Sequence, residues 1–166
     1  LNTPFEDKKF CLFISQNALN KNKYIASRML SVMGKVDFLP DIAKNQRELQ
    51  ECSCYNSIPL LKLFNEYKFI LCFENSKTSG YITEKIFNVF LAKSIPIYDG
   101  APNIDKFVNE KSFVSFDTQL MRKIKPLMND KEAYNKIVNE HKLLPLNYRE
   151  IDDMFRRIVD TKLKLD

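Results

Sequence analysis

Tyr67-Lys68-Phe69-Ile70-Leu71-Cys72-Phe73 is apolar at every position except Lys68. A short, nearly continuous apolar run is the pattern of a strand buried on both faces, which belongs to a parallel sheet. Glu74 to Gly80 reads as the turn after it, followed by a helix from about Thr83 to Ala92 and a second buried strand, Ile95-Pro96-Ile97-Tyr98. Asp99-Gly100-Ala101-Pro102 ends that strand, and Ser112 to Phe116 reads as a further one. On the other side of the central run, Ile58 to Glu66 is a short amphipathic helix that accommodates Pro59 in its first turn.

Further upstream, Lys9 to Ser15 reads as a strand, and Asn20 to Met33 carries apolar residues at helical spacing with Gly34 as its C′ stop. Val36 to Leu39 is a short strand closed by Pro40, which completes a βαβ unit. Asp41 to Ser57 is polar and aperiodic and is expected to be a loop. From Gln119 to about residue 162 the chain is expected to be helical, divided at Pro126 and Pro145. Alternating strands and helices predict a single α/β domain over residues 1–166, an open parallel sheet with helices on both faces. Ligands bind such sheets at the carboxyl ends of the strands, so the loops Glu74 to Thr83 and Asp99 to Asn103 become the candidate site.

Composition narrows the function. Of 166 residues, 45% are apolar and 28% charged, which is globular composition and excludes a disordered tail. The longest clean apolar run, Phe69 to Phe73, is far short of the ~20 residues of a membrane span. A net charge of +5 is spread along the chain without a basic block, which argues against a nucleic-acid module and suits a small anionic ligand. Cys11 and Cys72 lie within apolar runs and are expected to be reduced core thiols. Cys52 and Cys54 have no second Cys pair or nearby His to complete a metal site, and their redox state stays open.

Between Phe73 and Ile86 the chain gathers Glu74, Asn75, Ser76, Tyr81, Thr83, Glu84 and Lys85. The first turn of the following helix offers unpaired N–H groups to an anion. Lys85 falls in that turn, where a cation opposes the helix dipole at a cost of about 0.3–1 kcal/mol. Such a local violation at a strand's carboxyl end points to a site. The plainer reading is a solvated lysine beside a capping Thr83.

Tyr67-Lys68-Phe69-x-Leu71-x-Phe73-Glu74-Asn75-Ser76 followed by Gly80-Tyr81-Ile82-Thr83-Glu84-Lys85-Ile86 closely resembles the signature of the α-1,3/4-fucosyltransferases, glycosyltransferase family 10. Ile95-Pro96-Ile97-Tyr98-x-Gly100-Ala101-Pro102-Asn103-Ile104 resembles that family's next segment, so the signature spans residues 67–104. The resemblance implies the Rossmann-like, C-terminal half of a GT-B glycosyltransferase, binding GDP-fucose and lacking the acceptor-binding N-terminal half. It implies inverting transfer of L-fucose, in α-1,3 or α-1,4 linkage, to an acceptor-sugar hydroxyl. The expected acceptor is an oligosaccharide containing N-acetylglucosamine.

On matching positions, the resemblance gives Lys85 the neutralisation of the departing diphosphate and Glu84 the stabilisation of the oxocarbenium-like fucose. Asn75, Tyr81 and Thr83 would join them in holding the nucleotide sugar. The family's phosphate-contacting Arg has no counterpart in Ser15 to Tyr24, where Lys21 or Lys23 would substitute as point charges; Arg28 is a turn further along. No cofactor is required, and a divalent metal would at most stimulate. The catalytic base belongs to the acceptor half, so the alternative is a non-catalytic nucleotide-sugar-binding module. Relatives imply a Golgi membrane location for a eukaryotic protein and a cytoplasmic or membrane-peripheral one for a bacterial or viral protein. His141, in a polar context, and Arg156-Arg157 read as solvated surface.

Overall fold

The computed structural model describes residues 2–14, 21–44, 49 and 57–145. Its strands are β1 (Lys9–Phe13), β2 (Val36–Phe38), β3 (Tyr67–Phe73), β4 (Ile95–Asp99) and β5 (Val114–Ser115). They form one sheet in the order β2-β1-β3-β4-β5, and every neighbouring pair is parallel. The helices are α1 (Lys21–Ser31), α2 (Leu39–Ala43), α3 (Ile58–Asn65), α4 (Glu84–Leu91), α5 (Leu120–Leu127) and α6 (Lys131–Asn139).

Side chains alternating along the strands divide the core into two layers. Leu12, Ile70 and Cys72 face Leu60, Leu63 and Phe64 of α3 and Ile86 and Val89 of α4. Cys11, Phe13, Phe69, Leu71 and Phe73 face Ala26 and Leu30 of α1, Leu120 and Ile124 of α5, and Tyr134 of α6. Helices on both faces leave β3 buried at every position but Lys68, which is why the rest of its sequence is apolar rather than alternating. Cys11 and Cys72 are free and buried, and desolvation raises both thiols.

Several boundaries differ from the expectation. Pro40 does not close β2 into a loop: it occupies the first turn of α2, where its missing N–H leaves no bond unmade. Gly34 is not a left-handed stop for α1; a Cβ there would lie 2.7 Å from the Phe10 ring, so the position is held by close approach. A left-handed residue occurs instead at Lys93, φ 55°, just beyond α4. Strand β5 is only two residues, because Ser112 belongs to a 3-10 turn capped by Asn109.

Helix α5 runs through Pro126 to Leu127, and the break falls at Asp130, whose carboxylate caps α6 by accepting from Glu132 and Ala133 N–H. His141 lies beyond α6, exposed, in an extended stretch where Val108 pairs with Leu143. Cys52, Cys54, Arg156 and Arg157 lie outside the described residues. No helix among the described residues is long and apolar enough to cross a membrane.

Candidate functional site

The strand order reverses between β1 and β3: from β1 the chain moves outward to β2, then returns to place β3 on β1's other side. A crevice opens at such a switch point, outside the carboxyl ends of the two strands. Its walls are therefore the start of α1, which follows β1, and the 74–83 loop with the start of α4, which follow β3. The Asp99 to Asn103 loop, expected to be the second wall, buttresses the first. Asn103 Oδ1 accepts the Gly80 N–H at 2.8 Å, and Asp99 pairs with Lys77 and accepts from Asn22 Nδ2 at 3.3 Å. Gly80, at φ +77°, takes a turn that an L side chain rarely adopts.

Glu74 sits at the centre. It is the first residue past β3, its side chain has no solvent exposure, and its N–H donates to the Asp99 carbonyl at 2.8 Å. One carboxylate oxygen accepts from the Thr83 N–H at 2.8 Å and Oγ1 at 3.0 Å. The other accepts from Thr83 Oγ1 at 2.8 Å and Lys85 Nζ at 3.1 Å. Thr83 is thus the N-cap residue by position, but its hydroxyl serves Glu74 rather than the helix N–H groups. Lys85 Nζ also donates to Thr83 Oγ1 at 3.2 Å, and its side chain is 15% exposed.

Lys23, in the first turn of α1, lies near enough to feel the charges of Lys85 and Glu74. It is 4% exposed. Burial lowers its pKa, the Lys85 charge lowers it further, and Glu74 opposes both. Two lysines from two elements thus share the field of one carboxylate. Lys21 begins α1. Both lysines of the sequence expectation thus stand in the turn of α1 that follows β1.

Of the other candidates, Asn75 and Tyr81 are exposed on the loop, and Glu84 is half-buried in the first turn of α4, where its charge suits the helix dipole. Arg28 lines a cleft of about 240 Å³ together with Phe13, Tyr24, Val36 and Phe38. Sequence reasoning assigned Glu74 no role; its signal was a carboxylate directly after the unbroken apolar run Phe69 to Phe73. No group of three or more His, Cys, Asp or Glu that could hold a metal occurs among the described residues.

A parallel sheet of order β2-β1-β3-β4-β5 with helices on both faces and a switch point between β1 and β3 defines a Rossmann-like α/β domain. Residues 4–152 match the family model for the C-terminal domain of glycosyltransferase family 10 (fucosyltransferase), and the chain belongs to that family. It is similar to a fucosyltransferase-family protein of Acanthamoeba polyphaga mimivirus, 37% identical over 118 residues covering 68% of this chain and 20% of that one. The α-(1,3)-fucosyltransferase FucT of Helicobacter pylori is 40% identical over 99 residues, covering 56% of this chain and 20% of its own.

Among solved structures, an α1,3-fucosyltransferase with GDP-fucose superposes with a TM-score of 0.68 at 26% identity, covering 94% of this chain and 48% of that one. The chain thus spans about a fifth of these curated relatives and about half of the solved chain.

Proposed function

We propose that this domain is the donor-binding half of an inverting fucosyltransferase, taking L-fucose from GDP-fucose to a hydroxyl of an oligosaccharide acceptor in α-1,3 or α-1,4 linkage. The observation that carries the reading is Lys85 held on buried Glu74 at the sheet's switch point, with Lys23 near enough to feel both charges, in a chain of this family. A diphosphate needs fixed positive charge where negative charge develops, and two largely buried lysines at the strand ends supply it.

In this reading Lys85 and Lys23 take the diphosphate, with Lys21 alongside on the same helix. The N–H groups at the start of α4 add to them. Thr83 holds Lys85 in place, Asn75 and Tyr81 bind the nucleotide from the exposed loop, and Glu84 lies against the fucose. The bond between the anomeric carbon and the diphosphate oxygen breaks with its electron pair leaving on GDP. The acceptor oxygen attacks from the opposite face, and its proton passes to a base in a facing acceptor-binding domain. Lysines can carry the phosphate charge, so no metal is required for the step. The acceptor that best fits the family is a glycan containing N-acetylglucosamine.

Calorimetric titration of the chain with GDP and UDP tests the reading. GDP is expected to bind more tightly than UDP. Lys85→Met should weaken GDP by about tenfold or more, the loss of a hydrogen bond to a charged group worth roughly 1.5–3 kcal/mol. Absence of GDP binding, or equal affinity for both nucleotides, would overturn it.

A further inference from the structure

We infer that Glu74 is the positioning residue of the cation site: its buried carboxylate fixes where Lys85 presents its charge to an incoming diphosphate. The inference deepens the donor-site reading and rests on it. A lysine is a point charge on a flexible four-carbon stem, and one placed in the first turn of a helix is pushed outward by the dipole. Alone, Lys85 would hold its ammonium toward solvent. Glu74 instead binds it at 3.1 Å, and Thr83 Oγ1, itself bonded to both carboxylate oxygens, binds it at 3.2 Å. An ammonium has three donors. Two are held in this way, which leaves one for an anion.

Glu74 is in turn fixed by what surrounds it. Its carboxylate accepts the Thr83 N–H, its own N–H is bonded to Asp99, and a Cβ on Gly100 would come within 2.5 Å of its Cγ. The same negative charge offsets the repulsion between Lys85 and Lys23. A buried carboxylate beside an anion site is otherwise a disadvantage, because it repels the ligand. Its presence makes sense where the lysine it orients contributes more than the carboxylate subtracts.

That balance yields a change of sign. With Lys85 in place, removing the Glu74 charge should weaken anion binding, because the cation is no longer held. Without Lys85, removing it should strengthen binding, because only repulsion is left. A carboxylate that merely supported the fold would act in the same direction in both backgrounds.

The experiment is GDP titration, up to millimolar nucleotide, of the unaltered chain, Glu74→Gln, Lys85→Met and the double variant, with thermal unfolding of each. Glu74→Gln alone is expected to weaken GDP by about fivefold, and the same change added to Lys85→Met to tighten it by about threefold, a coupling in the range seen for side chains in contact. Shifts in the same direction in both backgrounds, or no shift in either, would overturn the proposal. If Glu74→Gln does not fold, Thr83→Val removes the bridging hydroxyl without altering charge. It should weaken GDP with Lys85 present and not in Lys85→Met, and equal effects would again refute it. An unaltered chain that binds no GDP removes the donor-site reading and this proposal together, whereas binding that is indifferent to Glu74 removes the proposal alone.

Discussion

Gly100 is the backbone position on which the site's geometry turns, and Gly100→Ala should be costly beyond its size. A Cβ at that position would stand 2.4 Å from the Tyr98 hydroxyl and 2.5 Å from Glu74 Cγ. Neither neighbour is the loose end of a side chain. Glu74 is held by Thr83 and Lys85, and the Tyr98 hydroxyl accepts the Ala101 N–H at 3.1 Å. Tyr98 is itself buried, with burial pushing its hydroxyl pKa up to about 12. Overpacking of a well-filled interior costs about 1–3 kcal/mol. Displacement of the tyrosine from its backbone partner adds about 1 kcal/mol.

A total of about 2–4 kcal/mol should lower the melting temperature by roughly 5–15 °C in a domain of this length. Gly80→Ala is the control. No atom lies within 4 Å of its added Cβ, so the cost is confined to φ +77°, about 1–2 kcal/mol. Urea denaturation followed by circular dichroism reads both. A Gly100→Ala chain within 0.5 kcal/mol of the unaltered one, or less affected than Gly80→Ala, would refute the reasoning.

Lys93 is left-handed at φ 55°, and Lys93→Gly should stabilise by about 0.5–1 kcal/mol in the same denaturation assay, by relieving a conformation that only glycine enters freely. Lys8 is buried against the Asn65 carbonyl, and desolvation, aided by the Lys93 charge, lowers its pKa from 10.5 to about 8. Between those values the unfolded chain binds the extra proton, so stability relative to Lys8→Met should rise with pH from 8 to 10.5, by on the order of 1–3 kcal/mol. A flat difference across that window would refute it. Tyr134 is buried and its hydroxyl donates to the carbonyls of Lys68 at 3.2 Å and Lys93 at 3.3 Å. Tyr134→Phe should therefore cost about 1–3 kcal/mol in urea unfolding, the desolvation penalty of buried acceptors left unmatched.

The parts of the fold legible in sequence are those whose signal is local. The strand from Tyr67 to Phe73 was legible to the residue, because burial on both faces leaves a run that is apolar apart from Lys68 and is ended by a charge. Pro59 fitted the start of α3 for a local reason, whereas Pro40 was misread because a proline both ends a strand and begins a helix, and only packing decides. Gly34 was misread similarly: its freedom from a side chain is used against Phe10, a contact across 24 positions that no local pattern announces. Lys85 could be singled out because it breaks a rule within its own turn. That Lys23 lies near enough to feel the Lys85 charge was not legible in sequence, since it depends on β1 and β3 lying side by side.

The arrangement of charge around the crevice follows one scheme. Each cation near the strand ends whose partner is described is held by a carboxylate deeper in the protein than itself: Lys85 by Glu74, with side-chain exposures of 15% and 0%, and Lys77 by Asp99, with 56% and 11%. Burying the negative partner more deeply leaves the positive one facing the ligand, so the pair acts as an oriented dipole rather than as two cancelling charges. Its attraction falls off faster with distance than that of a bare lysine, which limits capture of anions that never enter the crevice. Within contact distance the nearer charge dominates, as the inverse dependence of Coulomb energy on separation requires. A site built this way favours a ligand whose negative charges reach both lysines at once, and a diphosphate suspended between the start of α1 and the start of α4 is such a ligand. Inorganic phosphate, which offers the two lysines fewer charged oxygens than a diphosphate does, should then compete with GDP only at concentrations roughly tenfold to a hundredfold above the GDP dissociation constant, given roughly 1.5–3 kcal/mol for one lost charged hydrogen bond. Competition at comparable concentrations would mean that the two lysines act separately.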